Sequence, residues 1–483
     1  MGFKKITAFR NKNISVEAIK NAGFMLEQDD KGEWNNIVAI NLDKLCKSFM
    51  EKHRLVYHRS GVFYQEVKGV YVDVDDNRFS RILKSHLNKY ADYLWSKPLD
   101  GVIRNEYAVH SNRVDDFDVD KNILNLKSGL FNLDTYEQKP HRQDHYSIIQ
   151  LPIHYDPSAE APLFQKFLED TFNGDDELID LVTQMMGYML TAETKAEVAF
   201  ICYGIGSNGK STLIKVITEL VGRANICNVP LSDLGNSFTR LSLMGKLVCA
   251  CTENEKDGAG SSSFQTGMFK SIISGDDIDV EIKNGARFSI TPTVKFLFAF
   301  NNLPLTKDAT YGFFRKIIII PFNRIIDDNM KNPQLPNELK KELDGIFNVA
   351  LKGLTKLRQN NYKFPIPQAV KKELSKYRST INPLIEYVSE NIEVSPDNRE
   401  FNKTLYQDYK KWADDADLLK EGREFMGKLK LALDNAKIKY KSDKSNGKNY
   451  LAGIKIKPKL KKDDDERKDD ADNAQDGETV YSL

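Results

Sequence analysis

The chain has 483 residues, 41% hydrophobic and 29% charged, and its 70 Lys and Arg against 69 Asp and Glu give a net charge of +1. That is room for about three domains with the balance of a soluble globular protein. No stretch is apolar over the length a bilayer requires, and the start, MGFKKITAFR, lacks a signal-peptide core, so a cytoplasmic protein with no membrane partner is expected.

Two smaller classes are also excluded. Gly2 follows Met1, but Ile6 stands where a myristoylation motif needs Ser or Thr. The five cysteines, Cys46, Cys202, Cys227, Cys249 and Cys251, include no C-x-x-C pair, and the seven histidines form no H-E-x-x-H pattern. The cysteines read as reduced core residues, and any metal is expected to arrive with a nucleotide.

Residues 1–150 mix strand-like and helical runs and read as an α+β domain. GVFYQEVKGVYVDVDD (61–76) has two β-rich runs around Lys68-Gly69, as in a hairpin, and NRFSRILKSHLNKYADYLW reads as an amphipathic helix. NILNLKSGLFNLDTYEQKPH gives another strand, turn and strand. Asp73 and Asp75, one residue apart on a strand, face one side and have the spacing of a two-metal primase site, with Ser85-His86 following; the plainer reading is solvated acids entering a turn. Residues 151–195 then carry two helical apolar patterns joined at NGDD.

YGIGSNGKSTLIKVITELVG (203–222) contains Gly204-x-x-x-x-Gly209-Lys210-Ser211, preceded by an apolar run and followed by helical spacing of Leu213, Val216, Ile217 and Leu220. This is the full phosphate-binding-loop pattern in its strand–loop–helix context. Gly204, Gly206 and Gly209 free the backbone to curl, so that the amides of Ser207, Asn208, Gly209, Lys210, Ser211 and Thr212 converge on phosphate oxygens. Lys210 is expected to reach the β- and γ-phosphates of a nucleotide, and the Ser211 hydroxyl to sit on Mg²⁺.

Beyond the loop, KLVCAC ends in Thr252-Glu253-Asn254-Glu255, placing a carboxylate at the carboxyl edge of a strand, where nucleotides bind in such sheets. Glu253 is the candidate to polarise water and serve Mg²⁺. VKFLFAFN places Asn301 at the corresponding edge, suited to sensing the γ-phosphate, and Arg315 before KIIIIPF is a candidate cation for a neighbouring subunit's site. DVEIKNGARFSI (279–290) alternates on both sides of Asn284-Gly285, a strong hairpin signal. A helical run follows (337–359), then a break at NNYKFPIPQ near 360, then helices ending in lysine-rich β-like runs around Asn446-Gly447. Helices followed by a basic hairpin suggest a winged helix, with Lys439, Lys441 and Lys444 on its wing. Residues 458–483 form a charged tail, read as solvated and disordered.

In this order and spacing, YGIGSNGKST, LVCACTENE, FKSIISGDD, FNNLP and FFRKIIIIPF resemble the superfamily 3 helicase core of the phage, plasmid and poxvirus-type primase-helicase family. NLKSGLFNL, PIHYDPSAEAP and MMGYML resemble the domain that precedes that core, and NPLIEYVSENI with LYQDYKKW its C-terminal winged-helix module. The resemblance spans roughly residues 50–457 and lacks a primase domain. It implies a multidomain α/β protein. An N-terminal α+β domain of linker type (1–150) and a helical collar (151–195) precede an AAA+ superfamily 3 ATPase core (196–360), and a winged-helix-like DNA-binding domain follows (361–457).

It also implies Lys210 and Ser211 for ATP and Mg²⁺, Glu253 as the Walker B carboxylate, Asn301 as sensor 1 and Arg315 as arginine finger. Many AAA+ proteins carry an Asp-Glu pair where Thr252-Glu253 stands here, so the division of roles between Glu253 and Glu255 stays open, with Glu253 the better fit to the resembling pattern. The hairpin then falls where this class lines its central channel, with Lys283 and Arg287 touching phosphates of a single strand. The expected partners are single-stranded and forked DNA, a homo-hexameric ring in a bacterial host cell, and a separate primase or polymerase. Two other readings remain: an origin-binding initiator on duplex DNA whose ATPase switches assembly, and a primase-polymerase using Asp73 and Asp75.

Overall fold

The computed structural model describes residues 8–206, 208–252, 266–282, 287–304, 306, 310–325, 332–413 and 423–458. Its contacts divide the chain into two compact units, Met1–Asp308 with Gly312–Leu374, and Ser375–Leu483 with Ala309–Tyr311. The second boundary lies beyond the proline break near 360, within the helix Gln368–Ile381.

The first unit begins with two small sheets that share one core. Ala8–Phe9, Trp34–Ile40 and Phe24–Gln28 pair antiparallel in that order, and Val70–Val74, Phe63–Val67, Leu55–His58 and Arg113–Val114 form a second sheet. Lys68 and Gly69 both have positive φ (53° and 85°), and Val67 pairs with Val70. The expected hairpin is therefore present with the two-residue turn that matches strand twist. Asn41 caps the helix Leu42–His53 through Lys44 N at 3.0 Å. That helix buries Leu45, Cys46 and Phe49, while its polar face carries Lys44, Lys47 and Lys52.

Asp75 caps the helix Asp76–Leu87 by accepting from Arg78 N at 2.6 Å, and Asp73 is exposed on its strand. His86, from the same helix, is fully buried with Nδ1 3.1 Å from His53 Nε2. Burial, then the charges of Lys89 and Lys52, pushes His53 down to about 4. Burial, then His53 and the same lysines, pushes His86 down to about 3. Both rings are neutral near pH 7, and His86 Nε2 has no hydrogen-bond partner among the described residues.

The predicted strand–turn–strand is Ile123–Leu126 and Gly129–Asn132, joined by Gln138–Lys139. Its apolar side chains enter the largest core, together with the helices Pro162–Phe172 and Asp176–Met189. Asn173 and Gly174 in left-handed conformation (φ 53° and 70°) separate those helices, and Asp175 caps the second. The long helix Leu343–Gln359 crosses Asp176–Met189 closely. A Cβ on Gly187 would overlap the backbone of Ala350 and Leu354, and one on Gly353 that of Thr183.

At the centre of this unit is a five-stranded, wholly parallel sheet. Its order is Ile226–Cys227, Val248–Thr252, Lys295–Phe300, Ala199–Tyr203, Ile317–Pro321. Every residue of Lys295–Phe300 is buried, as expected for a strand covered on both faces. Each buried Phe there contributes roughly 1.5–3 kcal/mol. All five cysteines are free and buried.

The second unit runs Leu384–Asn391 (helix), Ile392–Phe401 (strand), Asn402–Trp412 and Arg423–Asn435 (helices), then Lys441–Ser445 and Lys448–Ile456 (strands). The last strand is central in a three-stranded antiparallel sheet. Asn446 and Gly447 both have positive φ (50° and 75°), giving the tight turn their identities require. Among the described residues no helix is long and apolar enough to cross a membrane.

Candidate functional site

The strand Ala199–Tyr203 ends at the sheet's carboxyl edge, the chain curls through Gly204–Gly209, and the helix Lys210–Val221 begins. Close approach dictates the glycines at both ends of this loop. A Cβ on Gly204 would overlap Phe322 O and Asn208 Nδ2, and Gly209 has φ 87° with its Cβ position 3.1 Å from Thr171 Oγ1. Gly204 N donates to Phe300 O at 3.3 Å and Phe322 N to Tyr203 O at 2.7 Å, anchoring the loop to both flanking strands. Asn208, buried, donates to Phe322 O at 2.9 Å.

The helix starts on Gly209 with no side-chain cap. Its first-turn amides at Lys210, Ser211 and Thr212 border a cavity of about 660 Å³. Lys210 is 6% exposed, and its ammonium donates to Gly204 O, to Asn208 Oδ1 at 3.1 Å and to Asn301 Oδ1 at 3.2 Å. First-turn amides, the Lys210 ammonium and a backbone freed by Gly204, Gly206 and Gly209 make a donor set suited to a polyphosphate.

Four sequence-predicted residues thus meet: Gly204, Asn208 and Lys210 of the loop, and Asn301 from 91 positions beyond Lys210. Ser211 and Thr212 line the same cavity. Ser207, Glu253, Glu255 and Lys283 lie outside the described residues, as does the charged tail beyond Pro458. Thr252 ends its strand at the carboxyl edge, one strand removed from Ala199–Tyr203. Arg315 is exposed and immediately precedes Lys316 and the strand Ile317–Pro321, at the opposite edge of the sheet from Lys210. A parallel strand of that length spans about 16 Å, so Arg315 does not serve the cavity of its own chain.

The hairpin after the helix Thr266–Ser274 forms, but in a different register from the one Asn284-Gly285 suggests. Ile278 pairs with Ile290 and Glu281 with Arg287, one residue out of the register that a two-residue Asn284-Gly285 turn would impose; residues 283–286 lie outside the described residues. The shift of one residue reassigns side chains between faces. Arg287 is held by Asp279 at 2.8 Å, and Ser289 donates to the same carboxylate at 3.0 Å. These contacts hold the Asp279 carboxyl below its ordinary range.

In the second unit, Lys439, Lys441 and Lys444 are exposed. Lys441 and Lys444 are three positions apart on the strand Lys441–Ser445 and so point to opposite faces.

Sequence reasoning missed the far wall of the cavity. Phe167 and Thr171 from the helix Pro162–Phe172 line it, with Leu335 and Arg324, and Arg324 is paired to Asp170 at 3.2 Å. Arg324 follows the strand Ile317–Pro321 at its carboxyl edge, a position that marks it as a site residue once the sheet is recognised. Helix 162–172 carries no such signal, because it precedes the sheet in sequence.

Two family models match parts of this chain: "D5 N terminal like" over residues 54–173 and "Family of unknown function (DUF5906)" over residues 202–315. The chain is 22% identical over 344 residues to "Putative helicase 184R" of Invertebrate iridescent virus 6. That match covers 62% of this chain and 35% of the viral protein, so the chain spans about a third of its relative's length. In fold it is similar to the apo C-terminal region of NrS-1, with TM-score 0.53 at 13% identity, covering 84% of this chain and 97% of that one. A second apo structure of the same region gives TM-score 0.53, with 85% and 98% covered.

Proposed function

We propose that this chain is an ATP-dependent replicative DNA helicase of a phage or mobile genetic element. In this reading the core is an AAA+ ATPase of superfamily 3, the protomers form a hexameric ring, and the ring moves 3′ to 5′ along single-stranded DNA. The observation that carries the reading is the Lys210 ammonium held between Gly204 O and Asn301 Oδ1 at the carboxyl edge of a parallel sheet. The fold likeness to NrS-1 and the viral relative's name support it.

Bound ATP with Mg²⁺ would supply the hydrolysable phosphoanhydride and the free energy for strand movement. The amides of Gly209 to Thr212 and the Lys210 ammonium bind and orient the phosphates. Ser211 offers its hydroxyl to the cation. Asn301 releases Lys210 and presents its amide to the terminal phosphate. Glu253 is assigned to water, Lys283 to the DNA strand, and Arg315 to the site of the adjacent protomer, as its exposure at the far edge of the sheet suits.

The test is strand displacement on forked DNA with ATP and with a non-hydrolysable analogue. Displacement with ATP alone is expected; ATP turnover without displacement would reject the helicase reading. A second reading, a duplex-binding initiator, is favoured by one feature: the helix–strand–helix–helix–strand–strand order of the second unit, which is that of a winged helix. Tight duplex-specific binding without unwinding would select it.

A further inference from the structure

A hollow of about 480 Å³ lies in the N-terminal part of the first unit, formed by elements that take no part in the nucleotide cavity. Its apolar lining is Ile14, with Ala18 and Ala22 at and beyond the helix Val16–Asn21, beside the polar Asn21 and Ser48. Its rim is basic. Lys44, Lys47 and Lys52 come from the helix Leu42–His53, and Lys89 comes from the turn after the helix Asp76–Leu87. All four lysines are exposed, and Glu51 is the one acidic residue lining the hollow.

The convergence is tertiary, since Lys89 is 37 positions from Lys52 (89 − 52 = 37). Both ammonium groups act on the same pair of histidines, half-buried His53 and buried His86, and help hold them neutral. Lys52 is fixed by donating to Tyr90 OH at 2.6 Å, and Lys47 shares its charge with Asp43 at 2.9 Å. Gathering four like charges around one concavity is unfavourable in isolation and favours a ligand carrying several negative charges.

We propose that this hollow is a second contact for single-stranded DNA: the lysine rim binds successive phosphates while a sugar or base face rests on the apolar lining of Ile14, Ala18 and Ala22. The choice of DNA rests on the helicase reading above; the choice of a single strand rests on the hollow's size. At 480 Å³ it is a pocket of small-ligand size, which a single unpaired nucleotide can enter and a base-paired one cannot without unstacking. A positively charged groove is what tracks the backbone of an unpaired strand.

The test uses the full chain and a fluorescein-labelled oligothymidylate, with anisotropy measured across a sodium chloride series. The triple variant Lys44→Ala, Lys47→Ala, Lys89→Ala leaves Lys52 on Tyr90. Losing three phosphate contacts at about 0.7 each lowers the salt slope by about 2, which is roughly 100-fold in affinity at 0.1 M salt. The Lys→Arg triple at the same positions is expected to keep the slope, and ATP turnover without DNA is expected to be unchanged in both variants. An unchanged slope in the alanine triple overturns the proposal. So does a loss confined to duplex DNA, or an equal loss of inorganic triphosphate binding, which would mark a free-anion site. A lowered slope in a protein that fails strand displacement rejects the helicase reading alone, whereas unwinding with an unchanged slope rejects the hollow alone.

Discussion

Replacing Lys210 with Ala separates a phosphate-binding lysine from a buried structural strut. In the ligand-free chain its ammonium is shared among Gly204 O, Asn208 Oδ1 and Asn301 Oδ1, all bordering or lying beside the 660 Å³ cavity. Water can therefore take its place, and the cost in folding stability is expected to stay under about 2 kcal/mol, a fall in Tm of less than about 8 °C. The cost to nucleotide binding is much larger. A hydrogen bond to a charged group is worth about 1.5–3 kcal/mol, so two phosphate contacts amount to roughly 3–6 kcal/mol, or about 10²–10⁴ in Kd. The assay is titration of a fluorescent ATP analogue with Mg²⁺ against parent and variant, alongside thermal unfolding without nucleotide. A Kd within tenfold of the parent, or a stability loss above about 3 kcal/mol, would refute the assignment and make Lys210 a strut of the loop.

Glu253→Gln is expected to leave ATP analogue affinity intact and to stop turnover; normal turnover here with arrest in Glu255→Gln would exchange the two roles. Arg315→Ala is expected to lower hydrolysis more than binding. Mixing it with Lys210→Ala protomers should restore part of the activity, because one interface then has both groups, and demonstrated mixing without recovery would count against a residue acting across the interface. The His53–His86 pair makes stability pH-dependent: both folded values lie below the ordinary 6.5, at about 4 and about 3, so their contribution is complete above about pH 6.5 and is lost as pH falls. Asp118, pushed up to about 6 by burial, titrates with the opposite sign. In an Asp118→Asn background urea midpoints should therefore fall from pH 7 to pH 5, and should fall less when His86→Gln is added. Ring NMR shifts titrating near pH 6.5 would remove the premise.

The sequence by itself determined what depends on neighbouring residues. Gly204, Gly209 and Lys210 specify a loop between a strand and a helix, because each glycine answers a close backbone approach within or beside that turn. Lys68-Gly69 and Asn446-Gly447 specify hairpin turns, because positive φ is tolerated there. The apolar runs at 248–252, 295–300 and 317–321 specify buried strands, because only a strand covered on both faces stays apolar throughout. Only the tertiary structure decided the order of those strands, and hence that Asn301 faces Lys210 across one strand gap while Arg315 lies at the far edge. It also set the hairpin register against the Asn-Gly signal, brought the helix Pro162–Phe172 over the cavity, and gathered Lys44, Lys47, Lys52 and Lys89 around one hollow. These arrangements come from burying faces of elements far apart in the chain, and that packing is a property of the whole core, which no local spacing encodes.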